Sequence, residues 1–149
     1  MRSLVLLAAF LAPSVLSAQS NPLVGTWKVV VPVGMKITGG EPEYLTTPGL
    51  LTVTATPDSL IATMKLEPLE GRPARPASRL AARFTTGKVT FTSVSTAQVS
   101  INGDATPSTS TSTYVFEATG DVLSGTVSRD IPGVAGMGAQ PIKGTRTAP

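Results

Sequence analysis

Apolar residues recur at every second position from Thr26 to Val33: Trp27, Val29, Val31 and Val33 alternate with Lys28, Val30 and Pro32. A period of two is the signature of a strand with one buried face. The same period returns along the chain in pairs of runs split by turn residues. Leu50–Ala55 and Leu60–Leu66 flank Thr56-Pro57-Asp58-Ser59. Arg79–Thr85 and Lys88–Val94 flank Thr86-Gly87, and Thr111–Glu117 and Asp121–Ser128 flank Thr119-Gly120. Each pair reads as a hairpin. Pro141–Thr147 is the last strand. No stretch sustains a 3.6-residue apolar period, so helix content is expected to be small.

A lone first strand, three hairpins and a lone last strand give eight strands. Their connections alternate between tight turns and the longer segments Gly34–Gly49, Glu67–Ser78, Ser95–Ser110 and Arg129–Gln140. In an up-and-down sheet the longer segments would share one rim and the tight turns the other. Closure removes both exposed edges, so the pattern predicts an all-β, eight-stranded antiparallel up-and-down barrel, with an open β-sandwich as the other architecture. Val99-Ser100-Ile101 reads as a short extra strand inside the third long segment.

If Trp27 points inward, so do Val29, Val31, Leu51, Val53, Leu60, Ala62, Met64, Leu66, Leu80, Ala82, Phe84, Val89, Phe91, Tyr114, Phe116, Leu123, Gly125, Val127 and Ile142. Lys28, Thr52, Thr54, Thr63, Lys65, Arg83, Thr90, Thr92, Glu117, Ser124 and Thr126 then point outward. Strand direction sets the large rings near the tight-turn end. Leu66, Ser93 and Ser112 fall near the long-loop rim. An eight-stranded interior is either filled by side chains or holds one small ligand. A ligand would enter at that rim, against Met35, Tyr44, Leu66, Ser93, Ser112 and Met137.

The start of the chain carries different chemistry. Arg2, the apolar run Leu4–Ala12 and small residues at Ser17 and Ala18 match a secretory leader, cleaved near Ala18-Gln19. The run is shorter than the ~20 residues that a spanning helix needs. Residues 1–19 are therefore expected to be the leader and 20–149 one barrel domain, secreted or periplasmic. With no cysteine in the chain there is neither a lipid-anchoring site nor a disulfide.

Charge and residue types narrow the chemistry. Basic residues number 12 and acidic 9; losing Arg2 leaves 11 against 9, a net charge of +2. That balance favours no nucleic-acid partner. With no histidine there is no Ser-His-Asp triad, and with no cysteine either, no His/Cys metal site. The carboxylates fall mostly in turns, so the expectation is a non-enzymatic protein without metal or cofactor. Glu41, Glu43 and Tyr44 form the one polar cluster worth testing for catalysis. The loop Gly71–Arg79 places Arg72, Arg75 and Arg79 among prolines, a candidate partner surface for carboxylate or phosphate.

Gly25, Trp27 and Arg146 carry a resemblance. Arg146 shares the inward face of the last strand and lies at the same end as Trp27. The Gly-Thr-Trp opening and the late Arg resemble the lipocalin-like (calycin) barrels, in which an Arg of the last strand packs over the Trp at the closed end. The chain is also similar to a loose set of small secreted bacterial proteins with a Gly-Thr-Trp first strand, on Lys88-Val89-Thr90-Phe91 and Leu123-Ser124-Gly125-Thr126-Val127. The resemblance implies a structural latch at Gly25, Trp27 and Arg146. From the barrel and its rim the candidate partner is a small apolar ligand; the other reading, from the proline-arginine loop, is a non-enzymatic envelope interaction module with a filled barrel. Avidin-like barrels open on the same tripeptide, but their biotin pocket uses further tryptophans and this chain has only Trp27.

Overall fold

A computed structural model describes residues 21–38, 41–71, 73–85, 88–101, 104–132 and 137–147. The expected leader lies outside these. Eight strands run β1 (Gly25–Thr38), β2 (Glu41–Ala55), β3 (Leu60–Leu66), β4 (Ser78–Thr85), β5 (Lys88–Ile101), β6 (Asp104–Thr119), β7 (Val122–Asp130) and β8 (Met137–Arg146). Each pairs antiparallel with its neighbours in chain order, and β8 returns to β1, so the sheet is a closed up-and-down barrel rather than a sandwich. There is no helix among the described residues. This architecture is compatible with a lipocalin-like fold.

The alternation holds. Trp27, Val29, Val31, Leu51, Val53, Leu60, Ala62, Met64, Leu80, Val89, Phe91, Tyr114, Phe116, Leu123, Val127 and Ile142 are all buried in one core, with Leu66 and Ala82 packed against it. Phe84 has its side chain outside the described ones. Phe116 stacks on Tyr114 at 5.9 Å and meets Phe91 at 5.7 Å between ring centroids. Burying rings of this size is worth roughly 1.5–3 kcal/mol each.

Two expected loops are strands. Of Gly34–Gly49 and Ser95–Ser110, residues 34–38 pair with 41–45 and residues 95–101 with 104–110, out to Thr38↔Glu41 and Ile101↔Asp104. Val99-Ser100-Ile101 is the end of β5, not a separate strand. These stretches carry Pro42, Pro48 and Pro107. Pro42 and Pro107 have a register partner on one side only, so a missing N–H can face away from the ladder. Met137 likewise opens β8 instead of lying in a loop.

The seam that closes the barrel is short. β1 and β8 pair at Trp27↔Arg146, Lys28↔Thr145, Val29↔Gly144 and Val30↔Lys143, and stop there. Two steps further the register would set Pro32 against Pro141, and neither has an N–H to give. Arg129 of β7 takes over at this level: its Nη2 donates to the Pro32 carbonyl at 3.0 Å.

Candidate functional site

At the tight-turn end the first and last strands meet as the sequence implies. Arg146 lies over the Trp27 ring at 4.1 Å and donates from Nη1 to the Val24 carbonyl and from Nη2 to the Pro22 carbonyl, both at 2.8 Å. Trp27 is fully buried, and its indole N–H donates to the Leu23 carbonyl at 2.9 Å. The chain before β1 therefore folds across the end of the barrel, with Leu23 buried beneath it. Gly25, at φ 136°, leaves room for the guanidinium, since a Cβ there would collide with Nη1. No ligand could reach the indole without displacing this cap.

The expected rim residues lie on different strands of the sheet. Tyr44 is exposed and pairs with Met35 out on the β1–β2 hairpin. Ser93 pairs with Ser112, Ser112 with Arg129, and Arg129 with Met137, a row around the far wall. The side chains of Met35 and Met137 lie outside the described ones. Leu66, half-buried, lies opposite Gly49. The mouth is more polar than a site for an apolar ligand requires, with Thr47, Ser110 and Ser112 buried there. A cavity of about 20 Å³ between Val33, Thr47, Leu66 and the β3–β4 loop is no larger than a water needs.

A much larger hollow, about 900 Å³, lies on the outside of the barrel. Its floor is the outer face of β7, β8, β1, β2 and β3, and the β3–β4 loop overhangs it through Pro68, Ala74 and Arg75. Glu67 starts that overhang: its N–H bonds the Pro48 carbonyl at 2.9 Å, while the Thr47 hydroxyl bonds its own carbonyl at 3.0 Å. Val30, Leu50 and Val122 line the floor at 48%, 40% and 60% exposure, three of the five large apolar side chains exposed among the described residues. Val30 lies opposite Pro48, next to Leu50 on the neighbouring strand, which gives the floor an apolar part. Four cations (Lys28, Lys65, Lys143 and Arg75) and one carboxylate, Glu67, complete the lining.

The chain matches no protein-family model, no curated protein and no solved structure. Its function must be read from geometry. Of the expected partner loop, Arg75 lines the hollow, Arg79 is exposed on β4 opposite Thr63, and Arg72 lies outside the described residues. Glu43 and Tyr44 of the expected polar cluster are exposed, and the Glu41 side chain is outside the described ones. No group of three acidic, His or Cys side chains able to hold a metal occurs among the described residues. Sequence reasoning missed the outer hollow. The signal was present as Val30, Leu50 and Val122, apolar residues at positions that alternation assigns to solvent.

Proposed function

We propose that this chain is an exported, non-enzymatic binding barrel whose interior is filled and whose site for a small, largely apolar molecule is the hollow on its outer wall. The carrying observation is an outer concavity of about 900 Å³, within the range of small-molecule sites, on a barrel whose end is capped by Arg146 over Trp27. The leader-like start of the chain supports export to the periplasm or medium. Exposure of every described carboxylate supports a non-catalytic reading, because none has the burial that tunes a general acid or base. Arg75 makes the proline-arginine loop part of the site rather than a separate surface.

The test is saturable binding of the neutral dye Nile red to the leaderless chain. Leu50→Asp and Val30→Asp, both at exposed positions, should abolish binding and leave the circular dichroism unchanged. Ser93→Phe and Tyr44→Ala should leave binding intact. The reverse pattern would return the site to the long-loop rim. No saturable binding at all would leave a structural module.

A further inference from the structure

We infer that the outer hollow selects a compact amphiphilic anion, an apolar ring system carrying negative groups at its edge. This rests on the outer wall being the binding site and names the chemistry that the wall recognises. The cross-strand register sets the arrangement. Leu50 of β2 has Lys28 of β1 on one side and Lys65 of β3 on the other. Val30 of β1 has Pro48 on one side and Lys143 of β8 on the other. Directly opposed side chains lie about 5 Å apart. Val30, Leu50 and Pro48 thus form an apolar centre with ammonium groups on both flanks, and the overhanging loop adds Arg75. Lysine stems extend the apolar floor while their heads stay in water.

Lysines beside exposed apolar residues could serve solubility alone. On a surface with interspersed charge they would then stand among carboxylates. Glu67 is the single acidic residue in the lining, and none of the four cations is in an ion pair among the described residues. The excess of positive charge is local, because the whole chain has 12 basic against 9 acidic residues. Shape then separates a small molecule from a protein partner. The floor is bounded on one side by Glu67, Pro68, Ala74 and Arg75 of the β3–β4 connection, where Pro68 has a fixed φ and Pro73 and Pro76 flank Ala74 and Arg75 in the sequence. A flat macromolecular face would have to displace that connection.

The experiment compares anilinonaphthalene sulfonate, an aromatic anion, with neutral Nile red on the leaderless chain. Replacing Lys28, Lys65 and Lys143 together by Gln should weaken the anion about tenfold, the scale of two or three exposed ion pairs, and change Nile red less than about twofold. Added salt should weaken the anion alone, because the lysine heads are exposed and screened. Equal affinity for the two dyes, unmoved by salt or by the Gln variant, overturns the selectivity and leaves the outer site standing. If Leu50→Asp leaves both dyes bound, the outer site itself is wrong. Displacement of the sulfonate by equimolar hexaglutamate assigns the hollow to an acidic peptide and overturns the small-molecule claim. So does a dimer in sedimentation that the sulfonate dissociates, which assigns the hollow to a second copy of the chain.

Discussion

Trp27 is where a single side chain does most for the fold. It fills the closed end, its N–H is satisfied by Leu23, and its face carries Arg146. Trp27→Ala should cost about 3–5 kcal/mol in urea unfolding followed by circular dichroism, since the cavity lies where the cap and two strands meet. Arg146→Ala should cost less, about 1–3 kcal/mol, for the lost ring contact and the carbonyl bonds. Arg146→Lys should recover little of it, because one ammonium cannot reach both Pro22 and Val24 as the fork does. The ion pair with Asp121 is a separate matter. At 3.4 Å, with Asp121 85% exposed, it is screened, so Asp121→Ala should leave the urea midpoint nearly unchanged. A large loss there would show that the arginine acts through charge rather than through the indole and the carbonyls. This corner was legible in the sequence because its parts are residue types with few alternatives: one tryptophan, a glycine two places before it and an arginine in the last strand.

Among the elements, β1 and β8 bear the closure with a ladder of four register pairs, as short as that between β3 and β4. Gly144 is needed there for proximity: a Cβ would stand 2.9 Å from the Lys28 carbonyl oxygen and 2.9 Å from Val29 Cγ1, both on the partner strand. Gly144→Ala should therefore push β8 off β1 and lower the urea midpoint more than an alanine at exposed Gly138, which meets nothing. Where the two prolines end the ladder, Arg129 bridges the gap. Arg129→Met should cost about 1–2 kcal/mol, the loss of a charged hydrogen bond at a partly exposed site, with faster amide exchange first in Val31 and Val33. Uniform exchange across the barrel would mean that the arginine is not a local fastener. Strand identity was legible wherever apolar residues alternate with polar ones, from Leu60 to Leu66 or Asp121 to Ser128. It failed where Ser, Thr and Pro fill both faces, as from Asp104 to Ser110, because a hairpin outside the barrel has no core to impose the alternation.

For the molecule as a whole, the site was harder to read than the fold for a geometric reason. Each strand reports its own inward face, but the hollow exists only because residues far apart in the chain become neighbours on the outer wall. Leu50 and Val122 share it after closure sets β8 beside β1, and Pro68 and Arg75 of the β3–β4 connection line that wall as well as the small cavity at the mouth. No period within one strand carries that information. The same geometry ties ligand to stability. The seam runs through the hollow, with Lys28, Val30, Lys143 and Thr145 on its two sides, so a bound molecule touches both strands that must part when the barrel opens. Any ligand that binds only the closed form stabilises it; at about a hundredfold excess over Kd the gain is near 2.7 kcal/mol. Anilinonaphthalene sulfonate at that excess should slow amide exchange most in β1 and β8, where local opening breaks its contacts, and least in β4 and β5 on the far wall. Slowing confined to β5 and β6 would instead put the molecule at the serine-lined mouth, and the seam would then open and close without regard to what is bound.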